Sequence, residues 1–231
     1  MYIFAHVFAG ALLGLILWHL LDDLRAIPLC ITGSILPDLV DKPLGLLFPA
    51  VLGGGRTFFH SLGIVFILLI ITLVFVWSSH RMLGAGVAGA VLLHQVFDEM
   101  WTLPANWFYP LLGPFQGTMI PDYIGTYFWF EITNPSEWLF MIGSVIVLIN
   151  SNRYMGQTPA SSLSCRIKTG ACTFVLIVFG ITGLYLVAAG LLSPVGTFIT
   201  PLYNPVTTVM AGLLLLNGTV IIFREKYDTR R

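Results

Sequence analysis

Charge is what this chain has least of. Only 10% of its 231 residues are Asp, Glu, Lys or Arg, where soluble domains carry roughly a quarter. With 57% hydrophobic residues and a mean hydropathy of +0.88, that shortage excludes an ordinary soluble domain and points to a polytopic membrane protein. Neither sign is in excess: 11 Lys and Arg balance 11 Asp and Glu, so no basic surface is offered to nucleic acid, and no protein partner can be inferred. Cysteine is scarce as well. Cys30, Cys165 and Cys172 form no CxxC pair and read as structural, and an odd count argues against a disulfide framework. Also missing at the N-terminus are a basic leader and a small-residue cleavage site, so residues 2–21 are expected to be a retained first helix.

What the chain has is apolar length. Runs near 2–21, 26–37, 61–77, 83–99, 127–149, 171–193 and 203–223 predict an all-α, polytopic integral membrane bundle of about six to seven segments. A crossing needs about 20 residues, so the run 26–37 is expected to be short or re-entrant, and the run 43–52 is a second candidate to dip into the membrane. Within a single domain, residues 1–125 are expected to form a metal-site region with an interfacial aromatic cap, and residues 126–231 the C-terminal transmembrane helices. The basic tail Arg224, Lys226, Arg230 and Arg231 places the C-terminus in the cytoplasm by the positive-inside rule. Traced back over seven crossings, every Lys and Arg then falls inside except Lys42 and Arg56. Four of the six tryptophans, Trp101, Trp107, Trp129 and Trp138, fall in the outer region, as an interfacial belt would.

The few ionisable residues inside these runs carry the functional signal. His6, Asp38, Asp41, His60, His94 and Asp98 are all traced to the extracytoplasmic ends of spans one to four. Ionisable groups at membrane depth are costly and mark function by default, and imidazole with carboxylate suits a borderline divalent ion. His94 and Asp98 stand one helical turn apart and can reach one cation, although a buried His–Asp hydrogen bond is an equal reading of that pair alone. Asp38 and Asp41 follow Pro37, and so close a pair repels unless a cation holds it; the plainer reading is a solvated surface loop. His60 follows Gly53–Gly55 and Arg56, whose guanidinium suits a phosphate or carboxylate, the plainer reading being a snorkelling arginine. His6 alone would serve equally as a helix–helix hydrogen bond. Six dispersed residues on one predicted face tilt the balance toward a site. Ser61 is a further candidate, to orient a ligand from behind. His19 with Asp22 and Asp23 lies at the other end of the first span, about 20 Å from His6, and reads as an interfacial cap. His80 with Arg81 reads as a cytoplasmic turn. Asp122, Glu131 and Glu137 are supporting groups that no spacing singles out.

In order along the chain, His6, LPDLVD (36–41), GRTFFHS (55–61), HQVFDEMW (94–101) and WFYPLLGPF (107–115) resemble the pattern of the membrane-bound metal-dependent hydrolases, the YdjM-like proteins. The match covers roughly the first 115 residues. In the commoner form of that pattern the two aspartates are two apart; here Asp38 and Asp41 are three apart. The resemblance implies metal-dependent hydrolysis of a phosphoester or lipid. The expectation is a divalent ion, zinc foremost and manganese as the alternative, one ion or two, held by His6, Asp38, Asp41, His60, His94 and Asp98. Arg56 and Ser61 would assist catalysis, with membrane lipid as environment and possible substrate. The competing classes are a transporter lining its path with the same residues and a metal-stabilised scaffold. A transporter calls for polar residues running toward the other face, and residues 62–77 and 83–93 carry almost none.

Overall fold

Long apolar runs without charge have one way to satisfy their backbone in lipid, which is helix. The computed structural model describes residues 3–117, 122–155, 162–193, 197–201 and 203–227, and among them the only regular secondary structure is helical. The chain divides into two compact units, Met1–Glu131 and Ile132–Arg231.

In the first unit, α1 (Ile3–Leu21), α2 (Ala26–Leu47) and α5 (Arg81–Phe97) pack on one another. Between them in sequence come the four-residue α3 (Pro49–Leu52) and α4 (Leu62–Phe75), which packs on α5. Small residues set the helix spacing. A Cβ on Gly14 of α1 would lie 2.5 Å from Ile27 Cα of α2, and one on Gly33 of α2 would lie 2.8 Å from the Val87 carbonyl of α5. Only glycine allows backbones so close. Away from the core, α4 bares Phe66, Ile67, Ile70, Ile71, Leu73, Val74 and Phe75, a continuous apolar surface that water does not tolerate and lipid does. After α5, a 3-10 turn (Met100–Thr102) and the short α6 (Pro104–Trp107) begin the aromatic stretch. Its residues 118–121 lie outside the described residues.

The second segment departs from expectation. It is neither a half-helix over 26–37 nor a loop from Asp38 onward: α2 runs unbroken for 22 residues through Pro37 and Pro43. Each proline removes a backbone hydrogen bond and crowds the carbonyl four residues before it. The helix nevertheless continues, packed against both α1 and α5. Asp38 and Asp41 are therefore buried helix residues rather than solvated loop residues.

In the second unit, α7 (Tyr123–Thr133), which crosses the boundary, leads into α8 (Pro135–Met155). There α9 (Ser162–Leu192) and α10 (Pro205–Tyr227) form a tightly packed pair. Asn204 opens α10 as a cap, its Oδ1 accepting the Thr207 amide at 2.8 Å. Glu137 is fully buried and accepts the Tyr203 hydroxyl. The tail residues Arg230 and Arg231, and the side chains of Arg153, Arg166, Lys168, Lys226, Cys165 and Cys172, lie outside the described residues.

Among the described residues, three helices are long and apolar enough to cross a membrane: α1, Thr173–Leu192 of α9 and Pro205–Arg224 of α10. They become four if α7 and α8 form one broken span. The expected six to seven are not all of that kind. α4 has 14 residues and α5 has 17, and at 1.5 Å per residue α4 is about 21 Å long, against a hydrocarbon core of about 30 Å.

Candidate metal centre

Four elements of the first unit bring side chains to one buried point. α1 supplies His6, one turn from its start. α2 supplies Asp38 and Asp41. The loop between α3 and α4 supplies His60, and α5 supplies His94, with Asp98 as the cap residue just beyond its C-terminus. All six are buried, His60 and Asp41 completely.

The imidazole orientations are fixed from behind. His60 Nδ1 lies 2.8 Å from Asp41 Oδ2, and His94 Nδ1 lies 2.7 Å from the Ser34 carbonyl oxygen. Carboxylate and carbonyl only accept, so each Nδ1 carries a proton and donates it, which turns each Nε2 toward the centre as the nitrogen that a metal ion would take. Those two Nε2 atoms face each other at 3.1 Å. At that separation a proton or a metal ion must lie between the two nitrogens. The Asp38 carboxylate adds Oδ1, 3.7 Å from His60 Nε2 and 3.8 Å from His94 Nε2; Asp98 adds Oδ2, at 3.7 Å and 3.9 Å from the same nitrogens. Asp38 Oδ1 is buried without a hydrogen-bond partner.

Asp38, His60, His94 and Asp98 thus offer four ligand atoms, all within 4.8 Å of one another. A tetrahedral ion with bonds of about 2.0–2.2 Å has ligand–ligand edges of about 3.3–3.6 Å, close to the spacings found. The donor set and its geometry fit a metal ion, and this buried group could hold one.

His6 and Asp41 stand one layer further out. His6 donates from Nε2 to Asp98 Oδ1 at 3.1 Å and stacks on His94 with ring centres 3.9 Å apart. Its Nδ1 is buried without a partner. Asp41 accepts the backbone amides of Thr57, Phe59 and His60 at 2.8, 3.1 and 3.0 Å, besides the His60 ring. One carboxylate thereby folds the loop that carries His60. Arg56 reaches the centre through Asp98, its Nε 3.1 Å from Oδ2. Ser61 does not turn toward the ligands: its hydroxyl donates to the Phe58 carbonyl at 2.7 Å as α4 begins.

The remaining candidates lie elsewhere. Asp23 pairs with Arg25 at 2.6 Å, and that hydrogen-bonded guanidinium holds the Asp23 carboxyl below its usual range. Arg25 also lies 3.4 Å from His80 Nδ1, and His19 stacks on Trp18. Asp122 accepts the Gly125 amide in a turn, while Glu131 accepts the first amides of α1, from Ile3 and Phe4, at 3.1 and 3.2 Å.

Three residues that the sequence reading passed over build the surroundings. Gln95 donates to the carbonyls of Phe59 and Ser61, on either side of His60, and accepts from the Trp107 indole. Asn106 donates to the carbonyls of Arg56 and Gln116 and accepts the Gln116 amide. Lys42 pairs with Asp38 Oδ2 at 2.6 Å. A buried amide in an apolar helix, as at Gln95, is itself a signal, because it must find partners.

No curated protein and no solved structure matches the chain. Residues 1–192 match the YdjM inner membrane protein family, a region that holds every residue of this centre. The chain belongs to the YdjM inner membrane protein family.

Proposed function

We propose that this protein is an integral membrane metal-dependent hydrolase acting on a phosphoester or lipid at the extracytoplasmic membrane face. The observation that carries the reading is the pair of imidazole Nε2 atoms, the rings pinned from behind, converging with two carboxylates on one buried point. In this reading Asp38, His60, His94 and Asp98 hold one divalent ion, zinc or manganese. His6 and Asp41 orient Asp98 and His60 from the outer layer. Charge counting supports one ion rather than two: Asp38, Asp41 and Asp98 against Lys42 and Arg56 leave one negative charge, which a single divalent ion converts to one positive. When bound, such an ion acts as a Lewis acid that brings the pKa of water toward neutrality. Arg56, in contact with Asp98 and 40% exposed, would stabilise charge developing on the substrate. The same reading keeps six to seven membrane segments, α4 and α5 being short ones, with the C-terminus in the cytoplasm.

Elemental analysis of purified protein beside His94→Ala tests the centre, with metal expected in the first and lost in the second. An assay on phospholipid and simple phosphoesters then tests hydrolysis, which should rise with pH through neutrality. Absence of cleavage together with Asp98-dependent ion flux in proteoliposomes would replace the hydrolase with a transporter.

A further inference from the structure

The ligand carboxylates of the centre are flanked by two cations. On α2, Lys42 lies one turn beyond Asp38 and places Nζ 2.6 Å from Oδ2, while Oδ1 of the same carboxylate faces the two histidines. From the loop, Arg56 places Nε 3.1 Å from Asp98 Oδ2. Each cation therefore stands within one carboxylate's width of the ligand cluster, each on a different ligand. Both differ from the ligands in exposure. The Lys42 and Arg56 side chains are 31% and 40% exposed, against 7% or less for Asp38, Asp98 and the histidines. The histidines are thus the buried part of the cluster and the two cations its exposed part.

From this placement we infer that Lys42 and Arg56 together bind the terminal phosphoryl group of the substrate, and that the substrate is a phosphomonoester. The inference rests on the metal-centre reading above. An ion held by these ligands would have an ammonium beyond Asp38 and a guanidinium beyond Asp98, so the cluster would present three electropositive groups. A monoester phosphoryl group supplies three terminal oxygens, one for each; a carboxylate has two oxygens and a phosphodiester only two that are unesterified. With one divalent ion bound, the net positive charge of the cluster also favours an anion. Lys42 is then a substrate-positioning residue and not merely the counter-ion of Asp38. Its ammonium has three donors, so the contact to Asp38 and a contact to a phosphoryl oxygen are compatible. The phosphoryl group itself belongs equally to a lipid phosphate or to a soluble ester.

The test measures binding rather than turnover. Metal-loaded protein in detergent is titrated by calorimetry with inorganic phosphate and with a long-chain alkyl phosphonate, while elemental analysis follows the metal. Lys42→Met should keep the metal and weaken both probes at least about tenfold, the size of one lost charge-assisted hydrogen bond. Lys42→Arg should restore most of that loss, which separates charge from damage to the fold. Phosphonate bound tighter than phosphate supports the clamp with a lipid source; equal affinities support it with a soluble one. A wild type that holds metal yet binds neither probe, or binds them unchanged in Lys42→Met, overturns this inference alone. A wild type without metal overturns the centre and the inference together.

Discussion

Asp38 and Asp41 are three residues apart on one helix, and the structure gives them different work. Asp38 sends one oxygen to the ligand cluster and the other to Lys42. Asp41 turns to the loop and takes three backbone amides and the His60 ring. Replacing Asp41 with Asn removes the charge and turns one of the two acceptor oxygens into an NH2 donor without changing shape. Loss of such an outer partner weakens metal binding by about 10–100-fold, and competition with a chromophoric chelator should show a drop of that size while the protein stays folded. Alanine at Asp38, His60, His94 or Asp98 should each lower metal content, because the remaining ligands are left with buried, uncompensated charge. His19→Ala should leave metal content at the wild-type value by the same elemental analysis. Equal loss in His19→Ala would mean the ion sits at the other end of α1.

Among the elements, α2 is the one on which the centre depends most, since it touches both α1 and α5. Its spacing from α5 is set at Gly33, where a Cβ would lie 2.8 Å from the Val87 carbonyl and 3.0 Å from Ala90 Cβ. Backbone cannot yield as a flexible side chain does, so Gly33→Ala must push the two helices apart. Overpacking of this kind costs about 1–3 kcal/mol. The same shift moves Asp38 away from His94, although the atoms nearest the Gly33 Cβ position belong to Val87 and Ala90. Thermal unfolding in detergent should show the lost stability, and metal retention should fall with it. A variant that loses stability but keeps wild-type metal affinity would show that helix spacing does not set the site. The loop is held differently, by hydrogen bonds: Gln95 fastens both sides of His60 to α5, and Asn106 fastens the Arg56 backbone to the aromatic stretch.

At the scale of the whole molecule the proposed orientation rests on the asymmetry of cations along the chain, with Lys42 and Arg56 as the two on the outer side. It predicts that a single cysteine placed after Tyr227 reacts with an impermeant maleimide only once the membrane is opened. Labelling from the outside of intact cells would reverse the orientation and put the centre on the cytoplasmic face. The number of crossings follows from length rather than charge. Among the described residues three helices satisfy it alone, and α4 and α5 are shorter than a full span, so those two need local thinning of the bilayer or a position against other helices to cross it.

The sequence by itself determined the helical class, the membrane setting and the set of residues from which the centre is built, because apolar run length and rare ionisable groups are properties of composition and order. It also gave His94 and Asp98 a shared face, since residues four apart on a helix are neighbours whatever surrounds them. The continuity of α2 was not legible there: a proline lowers helix stability locally, and whether the helix survives depends on contacts from α1 and α5 that no local rule contains. Nor was the division of roles. Whether a buried carboxylate faces the ligand cluster, as Asp38 does, or ties down a loop, as Asp41 does, is decided by which donors come within hydrogen-bond reach. Those donors lie 16 to 19 residues away in the chain. Ser34, whose carbonyl fixes the His94 ring from 60 residues away, illustrates the same limit. Its side chain takes no part in that bond, and only the packing of α2 on α5 places its backbone oxygen there.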